Sequence, residues 1–211
     1  MTTSRALVKP SYIGCIFEVG GNACNVSVGL SRLGLSVGLM AEIGEDEFGG
    51  KILSRLEKEG VAIDKVQQKG QSSFAMGLNY KGERTLFVEH VEREHHFSLH
   101  GIEAPCFYLT SMGQSWHHVY QMVREYARSH DIFLALNPGT KQLKDAPGFI
   151  RDMLVVTDVL FINKDEGFRL IGQESGKHDM SKLLQALHML GAKTVVVTDG
   201  GNGSYVLDSQ G

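Results

Sequence analysis

Residues 18–50 read EVGGNACNVSVGLSRLGLSVGLMAEIGEDEFGG. The paired glycines Gly20 and Gly21 stand just ahead of a run in which Ala23, Val26, Leu30 and Leu33 recur at helical spacing, and Gly34 is placed to end that helix. Residues 35–43 read as a buried strand, and Gly44 to Asp46 as a turn. A second helix follows with Phe48, Ile52 and Leu56 on one face and Gly60 as its stop. The short apolar run 12–17 feeds the glycine pair as a further strand. Strand, helix, strand, helix is the pattern of an α/β layer with a largely parallel sheet. Glycines at a strand-to-helix turn let backbone approach a ligand closely, and helix N-terminal N–H groups favour polar or anionic groups.

The pattern then changes. Residues 73–80 and 84–89 are extended runs joined by Lys81-Gly82-Glu83, which predicts a hairpin. Phe74, Met76 and Leu78 alternate in the first run, and Leu86 and Val88 in the second, as suits a sheet with one covered face. After a histidine-rich link, 106–110 reads as a strand, and Trp116, Val119, Tyr120, Val123, Tyr126 and Ala127 mark an amphipathic helix. Residues 132–136 form a buried strand that ends at the turn Asn137-Pro138-Gly139. Pro147 starts a short helix, 159–162 is a strand, and Asn163 begins a polar-faced helix. Leu183, Leu187 and Leu190 define another helix, stopped by Gly191. Residues 194–198 are the last buried strand, turning through 199–203 into 204–207.

At 211 residues, with 42% hydrophobic and 21% charged content, the chain is sized for one medium domain. A net charge of −3 gives no hint of a nucleic-acid surface, and a polyphosphate ligand would need locally directed donors. Cys15, Cys24 and Cys106 are too scattered for a disulfide framework or a Cys-x-x-Cys site, which fits a reducing cytosol. No signal-like or membrane-length apolar run occurs. The pairs His95-His96 and His117-His118 lack the i, i+4 spacing of helical metal sites.

Three constellations could carry chemistry. Gly20 and Gly21 would bring backbone up to a ligand, with the Asn25 amide as donor and acceptor to a hydroxyl; the bland alternative is a glycine turn with Asn25 satisfying local backbone. Asn163 and Glu166, three apart after a strand, share one side of a helix start, where Asn163 is equally a helix N-cap with an acidic first turn. Thr198, Gly200 and Gly203 combine a hydroxyl with glycines that admit close approach, and they also suit a hairpin turn.

Taken together, Gly20, Gly21, Ala23, Asn25, Ser27, Gly34 and Gly44 resemble the first signature of the ribokinase-like (PfkB) family of sugar and nucleoside kinases. The resemblance implies an α/β ribokinase-like three-layer sandwich with a largely parallel central sheet. It also implies a small β-sheet lid, at about residues 66–92, that closes over the substrate and joins a homodimer. It further implies a cytoplasmic enzyme, without nucleic-acid or membrane partners, that transfers the γ-phosphoryl group of ATP to a sugar or nucleoside hydroxyl with Mg²⁺. Gly20, Gly21 and Asn25 would then face the substrate. Asn163-Lys164-Asp165-Glu166 resembles the family's Asn-x-x-Glu motif, so Asn163 and Glu166 would organise magnesium and phosphate without ligating the metal directly. Thr198, Gly200 and Gly203 would flank the nucleotide.

Departures from the family pattern are equally specific. No Gly-Ala-Gly-Asp turn, the family's source of a catalytic aspartate and anion hole, occurs in the chain, so no residue is assigned as base. No aspartate precedes Asp46, Ala135 replaces the usual acid before Asn137, and residues 109–113 hold no glutamate. The expectation is a single kinase domain over 1–211 that is shortened at its front and incomplete at its catalytic end. The rival is a non-catalytic ligand-binding or dimerising module on the same scaffold. A dinucleotide-binding oxidoreductase is excluded by the absence of Gly-x-Gly-x-x-Gly after the first strand.

Overall fold

The computed structural model describes residues 18–80, 83–89, 91–173 and 179–208, so the expected strand over 12–17 lies outside the described residues. Helix α1 (Asn22–Arg32) begins at the glycine pair, with Gly21 at φ 100° as its N-cap. It leads to strand β1 (Ala41–Ile43), helix α2 (Glu47–Lys58) and strand β2 (Val66–Gln68), which pairs in parallel with β1. Leu39, Leu56 and Val61 form a small core there, with Ala23, Val28 and Ile52 against it.

Two expectations for this part are corrected. The long strand over 35–43 shrinks to β1 plus one isolated Gly38–Ala62 bridge, and Leu35 is 56% exposed. The partner is the reason: a turn closed by Val66 N–H donating to the Ile63 carbonyl lifts residues 63–65 off the ladder. Phe48 is exposed, so the buried stripe of α2 is carried by Leu56 and half-buried Ile52.

Strands β3 (Phe74–Tyr80) and β4 (Glu83–Glu89) form the expected antiparallel hairpin, although its turn residues 81 and 82 fall outside the described set. The single covered face does not appear. Met76 pairs with Phe87 on one side of the ribbon, while Val88 pairs with Ala75 on the other. Phe74, Met76, Leu78, Phe87 and Val88 are all about half exposed.

The main body is a five-stranded sheet ordered β5 (Cys106–Thr110), β6 (Phe133–Asn137), β7 (Val159–Asn163), β8 (Thr194–Thr198), β9 (Ser204–Leu207), parallel throughout except for the last pair. Leu134, Leu136, Leu160, Ile162, Val195 and Val197 are completely or almost completely buried. They share one core with Tyr120 of α3 (His117–Ser129), Ile150 of α5 (Pro147–Met153), Phe168 of α6 (Lys164–Leu170) and Leu187 of α7 (Met180–Met189). Each such side chain contributes about 1.5–3 kcal/mol on leaving water. The Tyr120 hydroxyl stays satisfied by donating to the Thr110 carbonyl at 3.0 Å. Sequence reading missed β2 and α4 (Thr140–Asp145), because Pro138-Gly139 looks like a plain turn when Gly139 is the N-cap of a helix.

Asp46 caps α2 and ties it to the start of the hairpin. Its carboxylate accepts from Gly49 N–H at 2.9 Å and from the Ser72 N–H and hydroxyl, both at 2.7 Å. These bonds, the Ser72 hydroxyl first, lower its pKa to about 2. A lowered folded pKa contributes stability that is fully present above the ordinary aspartate range, near 4, and is lost as pH falls through about 2. Thermal midpoints measured between pH 4 and pH 2 should therefore fall more steeply for the wild-type chain than for D46N. Parallel curves would show that Asp46 contributes nothing to acid sensitivity.

Candidate functional site

In a parallel sheet with helical crossovers, ligands bind beyond the carboxyl ends of the strands. Here those ends carry Thr110, Asn137, Asn163 and Thr198 on four adjacent strands. Thr110 pairs in register with Asn137, and Asn163 with Thr198. At about 4.8 Å between strands, this rim spans about 15 Å. Side-chain bonds knit it together. The Thr110 hydroxyl donates to Asn137 Oδ1 at 3.4 Å, and Asn137 Nδ2 donates to the Phe161 carbonyl at 2.8 Å.

Asn163 and Glu166 sit where β7 becomes α6, and they form a reciprocal cap. Glu166 N–H donates to Asn163 Oδ1 at 2.9 Å, and Asn163 N–H donates to Glu166 Oε2 at 3.4 Å. The other carboxylate oxygen, Oε1, accepts from the Thr140 hydroxyl at 2.8 Å. The helix-cap reading is thus realised, and it fixes the Glu166 carboxylate on the rim.

Thr198 is exposed at the end of β8, directly beside Asn163. Gly200 and Gly203 shape the following turn at φ 52° and 93°, backbone conformations that side chains disfavour, and the space in front of both is open. Asp199 N–H donates to the Gly203 carbonyl at 2.8 Å, so the hairpin-turn reading also holds. The Asp199 carboxylate accepts from Asn202 Nδ2 at 3.1 Å and from Lys164 Nζ at 3.2 Å, which together hold its pKa below the usual range. Lys164 thereby ties this turn to the start of α6.

Gly20, Gly21 and Asn25 lie at the far end of the rim. No described atom comes within 4 Å of a methyl placed on either glycine. Asn25 is exposed, its backbone N–H donates to the Gly21 carbonyl at 2.9 Å, and its side chain lines a shallow cavity of about 260 Å³ with Glu18, Arg32 and Arg55. The tie to the sheet comes from a neighbour, Asn22, whose Nδ2 donates to Ser111 Oγ at 2.8 Å just past β5. The structure therefore gathers Asn163, Glu166, Thr198, Gly200 and Gly203 into one cluster. It sets the glycine–asparagine turn beside β5, two strands from β7, or about 10 Å along the rim. Asn22, Thr140, Lys164 and Asp199 escaped the sequence reading. Asn22, Lys164 and Asp199 had a signal, since each lies inside a motif already singled out; Thr140 had none.

Among the described residues, no group of three or more His, Cys, Asp or Glu side chains could hold a metal ion. His95 is instead buried against Glu42, 3.0 Å from its carboxylate. No described helix is long and apolar enough to cross a membrane.

Polar groups thus line the carboxyl ends of the parallel strands of an α/β sheet, beside an open glycine turn, the place where α/β proteins take their ligands. The chain belongs to the pfkB family of carbohydrate kinases, whose model matches residues 15–211. Over 62 residues it is 32% identical to 5-dehydro-2-deoxygluconokinase of Clostridium perfringens, a match covering 29% of this chain and 18% of that one. It is 25% identical over 212 residues to pseudouridine kinase of Escherichia coli, covering 92% of this chain and 64% of the relative, so the chain spans less than two thirds of either kinase. The fold is ribokinase-like: ribokinase of Arabidopsis thaliana, solved with ribose and ATP, superposes with a TM-score of 0.72 at 20% identity, covering 91% of this chain and 64% of that one.

Proposed function

We propose that the chain carries the substrate- and nucleotide-facing scaffold of a kinase that transfers the γ-phosphoryl group of ATP to a hydroxyl of a sugar or nucleoside. The observation that carries this reading is the pairing of Asn163 with Thr198 at the carboxyl ends of adjacent central strands, with the Glu166 carboxylate fixed beside them. Gly20 and Gly21 offer open backbone to the substrate, and the Asn25 amide serves a hydroxyl. Thr198, Gly200 and Gly203 provide a hydroxyl and an unobstructed turn for the nucleotide.

The donors present suit Mg²⁺ as a guest of the nucleotide. They are oxygens, as a hard cation requires, yet among the described residues too few carboxylates converge to cage it. Magnesium, when bound with ATP, neutralises charge on the transferred group. Asn163 and Glu166 would hold it through its waters. That the relatives are kinases of a sugar acid and of a nucleoside, and that ribokinase was solved with ribose and ATP, supports the substrate class. The half-exposed apolar ribbon β3–β4 serves in this reading as the lid and as the contact in a cytosolic homodimer. These 211 residues contain no Gly-Ala-Gly-Asp turn, so this stretch assayed by itself is expected to bind without efficient turnover; the alternative reading is a non-catalytic ligand-binding or dimerisation module on the same scaffold.

Calorimetry of the 211-residue chain with ATP, Mg²⁺ and a panel of sugars and nucleosides, with ADP followed in parallel, tests this directly. Binding of a panel member without ADP release is expected. Sustained ADP release would overturn the account of the missing base, and failure of every panel member to bind would overturn the reading itself.

A further inference from the structure

The hairpin leaves the body of the molecule through residues 69–73 and returns through residues 91–96, and each limb meets a carboxylate from the short stretch 42–46. On the outgoing limb, Asp46 takes both the N–H and the hydroxyl of Ser72. On the returning limb, the Glu42 side chain, 2% exposed, lies 3.0 Å from His95 Nδ1 and 3.9 Å from Arg93 Nε. Arg93 reaches across through Nη2 to the Gln71 carbonyl, and Val91 N–H donates to Ser73 Oγ at 3.1 Å, lacing the two limbs together. His118 Nε2 holds the His95 carbonyl, and Gln67 Nε2 holds that of His96 at 3.1 Å.

Energetics single out this cluster. Glu42 Oε1, Arg93 Nε and His95 Nε2 are all buried without a hydrogen-bond partner. A buried ion pair with imperfect geometry is a poor device for stability, because its desolvation offsets its attraction, and well-packed apolar side chains would hold as firmly. The arrangement does specify geometry: Glu42 can face Arg93 and His95 together only when the returning limb lies in one place. Asp46 makes the same demand of the other limb while capping α2.

We propose that Glu42 and Asp46 are positioning residues of the hairpin, one carboxylate fixing each limb, so that the stretch ending the glycine-spaced signature sets where the ribbon lies. For its consequence on ligand binding, the proposal rests on the reading of the ribbon as a lid; for the ribbon's own order it does not. Glu42 and Arg93 are the informative positions, since Asp46 also serves α2.

The test is hydrogen exchange on the full 211-residue chain for E42Q, R93Q and the charge-retaining R93K, with ligand affinity measured on the same samples. In E42Q and R93Q, amides of residues 74–80 and 83–89 should exchange about tenfold faster, while 133–137 and 194–198 keep wild-type rates; R93K should lie between. Affinity for a sugar or nucleoside that binds the wild-type chain should fall with the ribbon's protection; the thermal midpoint should fall too, because each variant leaves the other partner's charge buried and unpaired, but without an equal rise in exchange at 133–137. Unchanged ribbon exchange in both E42Q and R93Q would overturn the proposal, and so would an equal rise in 133–137, which would mark global loosening. If no panel member binds the wild-type chain, the kinase reading falls while the exchange comparison still decides the positioning role.

Discussion

Gly49→Ala is expected to be the most damaging methyl that can be added to any described glycine of this chain. A Cβ at Gly49 would stand 1.9 Å from the Gly44 carbonyl oxygen and 2.9 Å from its carbon. Both are backbone atoms, so no side chain can rotate away. Gly44 cannot retreat either, because its own Cα faces Ser72: a Cβ there would lie 2.3 Å from Ser72 N. The three backbones are held in that embrace by Asp46, which bonds both Gly49 and Ser72. Relief therefore means breaking the α2 cap and the root of the hairpin together. A loss of about 3 kcal/mol or more follows, at the upper end of what overpacking causes. Gly50→Ala is the control. It lies in the same helix, meets nothing within 4 Å, and should stabilise by up to about 1 kcal/mol through helix propensity. Urea unfolding of the two variants reads the contrast, and equal midpoints would contradict the packing argument.

The same residues show why the glycine spacing was so informative. A spacing fixed by backbone contact, as at Gly44 and Gly49, is written into the chain as an absence of side chains, and it is legible without any partner in view. Strands β5 to β8 were legible for a related reason: buried parallel strands need continuous apolar runs, such as 194–198. The Asn163–Glu166 cap is local, three residues apart, and could be read from sequence as a cap. What escaped depends on distant partners. Glu42 and His95 are 53 residues apart, Thr140 and Glu166 are 26 apart, and nothing in either local pattern announces the contact. Residues 35–43 misled because an apolar run reports burial, whereas a strand also needs a partner of equal length, and 62–68 supplies only part of one. The ribbon misled in a different way. Its alternation is real, but the register places apolar residues on both faces, so two strands alone cannot cover either.

Glu166→Gln separates the two roles that the rim assigns to one side chain. As a cap, Glu166 needs only an oxygen for Asn163 N–H, and glutamine supplies that equally well at this position. The Thr140 hydroxyl can reverse its bond to meet a glutamine amide. The helix should therefore persist, with thermal stability within about 0.5 kcal/mol of wild type. The charge disappears, however, and with it the attraction for a cation's water shell. Outer-shell partners of metals are worth about 10–100-fold in metal affinity, so the increase in ATP affinity on adding Mg²⁺ should shrink by at least about tenfold, while Mg²⁺-free ATP binding stays unchanged. Thr140→Val retains the charge but frees one carboxylate oxygen from its anchor, and it should produce a smaller loss in the same Mg²⁺-dependent increment. Asn163→Ala is the less informative variant, since it removes the cap itself and loosens α6 by about 1 kcal/mol whatever its role toward the nucleotide. Titrating ATP into wild type, E166Q and T140V, with and without Mg²⁺, decides the matter. A wild-type increment preserved in E166Q would reduce Glu166 to a helix cap and remove magnesium organisation from this corner of the rim.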